Sequence, residues 1–129
     1  MNDIMRFIHG KRFLETLFPM GLIEPVVIGQ ICLNVFGNTI IGLHTKQQPV
    51  GEVAKWGVWG KDYNVVVIKL LGGDDTVLEA RNWPSKNYLP LDLFIESDRC
   101  KLVQSDGDKE ISIEFSELIF QKCEKYLDG

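Results

Sequence analysis

The sequence predicts a mostly β (α+β) single domain, 1–129. It is built as one antiparallel, strongly curved sheet or as a two-layer β domain, with seven to eight strands and one short N-terminal helix. Three observations predict it. Apolar and polar residues alternate with a period of two in short segments from Val27 to Phe115. Turn-forming residues, such as Gly37-Asn38, Gly72-Gly73-Asp74-Asp75 and Ser105-Asp106-Gly107-Asp108, separate those segments at short intervals. The 129 residues, 45% of them hydrophobic, supply one core and are too few for two ordinary domains.

The elements follow in order. Phe13, Leu14, Leu17 and Phe18 recur at helical spacing and predict a helix over 11–18. Pro19 ends it, because a residue before proline is pushed out of the α region. A strand is expected over about 25–36, with Val27, Ile31, Leu33 and Val35 on one face and Gln30 and Asn34 on the other. Gly37-Asn38 tolerates positive φ and closes a hairpin with a strand over about 39–45. Residues 46–61 form a long irregular loop, and loops of that length inside compact domains are often functional. Residues 63–71 are almost continuously apolar, which predicts a central strand covered on both faces.

After a Gly-Gly-Asp-Asp turn, a strand over 76–83 returns and stops at Pro84. A second loop over 84–88 leads to strands over 89–96, 100–104 and 110–115. In the last of these, Ile111, Ile113 and Phe115 alternate with Ser112 and Glu114, so one face should meet water. Residues 117–127 fit a helix through Leu118, Ile119 and Tyr126, or a strand through Ile119, Cys123 and Leu127. The strand is favoured because short strands precede it. Short connections favour antiparallel neighbours in meander order.

Charge and cysteine usage bound the partners. The chain carries 14 Lys and Arg against 18 Asp and Glu, and no run of like charge reaches five residues. A nucleic-acid binder needs a basic face to displace counterions, and an anionic membrane attracts basic clusters, so neither partner is expected. No apolar run approaches the ~20 residues of a membrane span, and no secretion signal is read at the N-terminus. Cys32, Cys100 and Cys123 are odd in number and widely spaced, which reads as three reduced thiols in a cytoplasmic protein.

Catalytic and metal chemistry find no foothold. His9 and His44 are the only histidines, and no serine sits in a GxSxG context. A zinc site needs three or four ligands at recurring spacings, which the isolated Cys100 and His44 do not provide. From Asp106, oxygen-bearing side chains fall at EF-hand spacing through Asp108, Glu110, Ser112, Glu114 and Glu117. However, Ile111 occupies the position that needs glycine, and the flanks read as strands. The run Leu71-Gly72-Gly73-Asp74-Asp75 joins two strands and carries acids where phosphate would sit, so it reads as a turn. No catalytic residue, cofactor or metal ligand is therefore expected.

Two surfaces are candidates for binding a partner. The loop over 46–61 holds Trp56 and Trp59, and tryptophan is enriched at interface hot spots. The competing reading closes the open end of the core with these rings. The other surface is the acidic C-terminal hairpin with Asp106, Asp108, Glu110 and Glu114, which could steer a basic protein. The competing reading there is a solvated strand face. The loop is the preferred surface.

The order of motifs is similar to that of a known family. Phe13-Leu14-Glu15-Thr16-Leu17-Phe18-Pro19, Lys55-Trp56, and the stretch from Tyr63 through Trp83 resemble the immunity protein 50 family of bacterial polymorphic toxin systems. Here Gly57-Val58-Trp59-Gly60-Lys61-Asp62 intervenes between Lys-Trp and the aromatic-Asn pair, a departure from the family pattern. The resemblance implies a cytoplasmic antidote that binds and occludes a cognate protein toxin without catalysis. The alternatives are a small-molecule-binding or enzymatic β domain with its pocket at the Trp loop, and a structural subunit of a larger assembly.

Overall fold

The computed structural model describes residues 4–51 and 53–129; Met1–Asp3, within the segment read for a secretion signal, and Glu52, in the Trp loop, lie outside the described residues. Strand accounts for 51% of the chain and helix for 10%, so the mostly β class holds. The strands form two sheets rather than one, of five and four strands.

The strands are β1 (Ile8–His9), β2 (Val26–Asn34), β3 (Asn38–Thr45), β4 (Val65–Gly72), β5 (Val77–Arg81), β6 (Asp92–Glu96), β7 (Arg99–Asp106), β8 (Lys109–Phe115) and β9 (Leu118–Tyr126). Helix α1 spans Arg12–Leu17 and buries Leu14 and Leu17. Among the described residues nine strands thus replace the expected seven to eight. The addition is β1, whose two residues are too few to show any period. The segment over 117–127 is the strand β9, as favoured.

The first sheet has the order β1-β9-β4-β3-β2 and the second β5-β8-β7-β6. Every pairing is antiparallel except β1 with β9, which is parallel. A pure meander does not result. β2-β3-β4 and β6-β7-β8 are meanders, but after β4 the chain leaves the first sheet, and β5 joins the far side of β8. β9 then returns to lie between β1 and β4. The turns Gly73–Thr76 and Ser116–Glu117 carry these changes of sheet, each too short for anything but a corner.

The core fills the space between the sheets. Ile41, Leu43, Val66, Ile68 and Leu70 from the first meet Leu102, Ile111, Ile113 and Phe115 from the second, with Leu14, Leu17 and Phe18 packed onto the same cluster. β4 is the middle strand of its sheet, and Val65 and Val67 on its other face are also buried, as the continuous apolar run predicts.

β2 departs from the expected pattern. Its register with β3 shifts between Ile28 and Gln30, a bulge at Gly29. An extra residue inverts the alternation beyond it. Val27 therefore stands opposite His44 on the outer face, whereas Ile31 and Leu33 stand opposite Ile41 and Thr39 on the inner one. The four apolar residues expected on one face are thus divided. Leu33 is 69% exposed, and the turn residues Val35 and Phe36 are 92% and 90% exposed.

Candidate partner-binding surfaces

The Trp loop is pinned, not loose. Val50 donates its N–H to the Leu17 carbonyl at 2.8 Å, and Pro49 is buried. Ala54–Trp56 form a 3-10 turn that carries the Trp56 ring inward, leaving it 8% exposed. Its ring meets Phe13 and Tyr63 edge-on, with centroids 6.1 and 5.7 Å away. Trp56 therefore closes the core and is withheld from a partner on the surface. Trp59 is half-buried and edge-on to Tyr63 at 5.3 Å. Between the two tryptophans the chain reverses at Gly57, whose φ of 92° suits glycine. The Asp62 carboxylate accepts the Val58 N–H at 2.7 Å and holds that reversal. Trp59 and Tyr63, with Gln48, Pro49 and Val58, line a recess of about 350 Å³.

The acidic hairpin is divided between internal and external work. Asp106 accepts hydrogen bonds from Ser85 Oγ (2.6 Å) and Asn87 Nδ2 (2.8 Å), which tie the loop after Pro84 to β7. These bonds, Ser85 first, hold its carboxyl below the usual range. Glu114 accepts from Arg99 Nε at 2.8 Å, and Arg99 also pairs with Asp75 at 3.1 Å. Ser116 Oγ donates to the same Asp75 carboxylate at 2.7 Å. That network locks the β4–β5 turn to β7 and β8. Asp108 and Glu110 are exposed and make no ion pair among the described residues.

Two features escaped sequence reasoning. On the outer face of the first sheet, His44 Nδ1 and the Tyr126 hydroxyl lie 2.8 Å apart. Gly29 leaves room for the His44 ring, because a Cβ there would collide with it. Burial pushes the His44 pKa down, and Lys69 adds to this. Beside it Tyr88 is pushed up to about 12, first by burial and then by Tyr126. The pairing joins residues 82 positions apart, so no local pattern announces it.

The second feature is a groove between the two open edges of the sandwich. β2 is the last strand of its sheet and β5 the first of the other. Where they diverge, Ile31, Leu33, Leu78, Ala80, Trp83 and Ile111 line a groove of about 460 Å³ with no charged residue in its walls. Trp83 forms one end, its Nε1 donating to the Ile28 carbonyl at 3.3 Å. The walls of the groove come from β2, β5 and β8, far apart in sequence, so no local pattern announces it.

Among the described residues no three His, Cys, Asp or Glu side chains gather as a metal site. No helix of the described residues is long and apolar enough to cross a membrane. Comparison with family models, curated proteins and solved structures finds no match.

Proposed function

We propose that this chain is a non-catalytic immunity protein that binds a cognate protein toxin and occludes it. The observation that carries a binding role is the β2–β3 tip, where Leu33, Val35 and Phe36 hold apolar surface in water. Contiguous exposed apolar surface on a small domain marks a place where a partner docks. The toxin as partner rests on the motif resemblance, and the net charge of −4 favours it. Toxins that grip phosphate are basic at that site, and opposite charge accelerates encounter. Occlusion needs only a rigid surface of roughly 800 Å² per partner with a few apolar anchors, and no proton transfer.

The test uses a toxin domain found by genomic adjacency or by pull-down. Its activity should fall to background as the chain is titrated to one equivalent, and the two should co-elute. Full toxin activity at a tenfold excess of the chain overturns the reading.

The recess at Trp59 and Tyr63 supports the second reading, a small-molecule-binding or enzymatic domain, because its size suits a small ligand. A metabolite panel that raises the melting temperature of the wild type but not of Trp59→Ala would favour it.

A further inference from the structure

We propose that this chain pairs with a second copy of itself about a twofold axis through Ile31 and Ala80. The two β2 strands run antiparallel, edge to edge, and in the other layer β5 meets β5 of the copy. The inference goes beyond the toxin-binding reading and does not rest on it.

Both open edges lie on one side of the sandwich. Among the described residues, β2 beyond the bridge from Val26 to Leu89 pairs only with β3, and β5 pairs only with β8. Alternate residues of Gly29–Asn34 therefore turn their N–H and C=O groups toward an open side. Natural edge strands are guarded by Lys, Pro or inward charges, and Gly29-Gln30-Ile31-Cys32-Leu33-Asn34 carries none of these. Two contacts fix how the edges lie across the groove. Trp83 Nε1 donates to the Ile28 carbonyl at one end, and Asp74 lies against Gly37 at the other. β5 thus runs antiparallel to β2, which puts Ile31 and Ala80, both in the groove walls, at one level.

The order of charge along β5 selects the occupant. Leu78 and Ala80 face the groove, so Glu79 and Arg81 project from the opposite face of the strand, where both are exposed. Neither makes an ion pair among the described residues, although Arg81 stands opposite Glu110 on β8. An antiparallel copy about Ala80 sets each Glu79 opposite the other chain's Arg81, which gives two cross-strand ion pairs from one contact. A foreign strand needs a basic and an acidic residue at those same two places, whereas a copy supplies them by symmetry. On β2 the same axis sets Ile31 opposite Ile31 and Leu33 opposite Gly29, with no charge on either strand. The two grooves then face each other, and Leu33, 69% exposed in the single chain, is covered. Pairing ends at Leu33, so Val35 and Phe36 in the turn lie beyond it.

The test needs only the full chain. Sedimentation equilibrium across the micromolar range should show monomer passing into dimer and nothing larger, and hydrogen exchange at Gly29–Asn34 should slow as the dimer forms. Leu33→Asp should weaken the dimer at least about tenfold, because it buries an unpaired charge. Glu79→Arg sets base opposite base and Arg81→Glu sets acid opposite acid, so each variant alone should associate at least about tenfold more weakly than wild type. Mixed in equal amounts, the two should form a heterodimer within about threefold of the wild-type affinity, since every pair is then opposite in sign. That recovery guards against a folding defect in either variant. A chain that stays monomeric, a dimer indifferent to Leu33→Asp, or a mixture that fails to associate overturns the proposal. So does a monomer whose Gly29–Asn34 amides are protected only by an added toxin, which would give this edge to that partner.

Discussion

Gln104 on β7 donates from Nε2 to the Val26 carbonyl on β2 at 3.0 Å, a hydrogen bond between the two sheets across a buried interface. The same nitrogen donates to the Leu89 carbonyl at 3.0 Å, so one side chain braces the only bridge between β2 and the second sheet's lead-in strand among the described residues. Gln104→Ala removes both bonds and leaves a cavity; it should cost about 2–4 kcal/mol in denaturant unfolding. The Gln104 Oε1 atom meets no donor among the described residues. Gln104→Met, which keeps the volume and deletes that orphan, should therefore cost only about 1 kcal/mol. A larger cost for Met than for Ala would show that the bracing account is wrong.

The reversal between the tryptophans can be tested by two glycines of similar backbone. Gly57 and Gly60 have φ of 92° and 85°. An alanine Cβ at Gly57 would strike the Asp62 carboxylate, whereas at Gly60 nothing lies within 4 Å. Gly60→Ala should cost about 1 kcal/mol through backbone strain alone. Gly57→Ala should cost at least about 2 kcal/mol, and it should release the Val58 amide to exchange. Equal costs would mean that Asp62 yields freely.

Trp56 and Trp59 should separate under mutation. Trp56→Ala empties a core site and should destabilise the fold by about 3–5 kcal/mol. Trp59→Ala should fold. With the apolar β2–β3 tip as the docking site, its affinity for the toxin should stay within about threefold of wild type, short of the ~2 kcal/mol that marks a hot spot. A thirtyfold loss would restore the loop as the interface.

Acidification should weaken the fold through His44. Its pKa lies below the ordinary 6.5, first because burial disfavours the charged ring and then because Lys69 repels it. The unfolded chain thus binds the proton more readily than the native one. The stabilising contribution is complete above about pH 6.5 and is lost as pH falls through the lower, native value. The urea midpoint should drop between pH 7.5 and 5.5. In His44→Gln, which keeps a partner for the Tyr126 hydroxyl, that drop should be smaller. An unchanged slope would place the sensitivity elsewhere.

Much of the fold was legible because burial leaves a period in the sequence. The run through Val65, Val66, Val67 and Ile68 announced the middle strand, since both of its faces are covered. Ile111, Ile113 and Phe115 announced β8 by alternation instead, since only one of its faces is buried. The bulge at Gly29 was hidden, because one inserted residue inverts the alternation without changing composition, and so Leu33 was assigned with Val27. The candidate site fared worse for a related reason. A tryptophan reads alike whether it closes a core or meets a partner, and only the 3-10 turn at Ala54–Trp56 decides that Trp56 points inward. The groove belongs to strands 47 residues apart at Ile31 and Leu78, and an edge is a property of sheet order that no local pattern records.

The place of β9 has a consequence for how the chain acquires its structure. Residues 118–126 lie between β1, near the start of the chain, and β4, at its middle. Until that segment has emerged from the ribosome, β4 has one neighbour instead of two and Ile8–His9 have none. Such sequence-distant pairing places folding toward the slow, millisecond-to-second end for small domains, and it leaves the nascent chain open to aggregation until β9 has been made. The first sheet is complete only once β9 is in place.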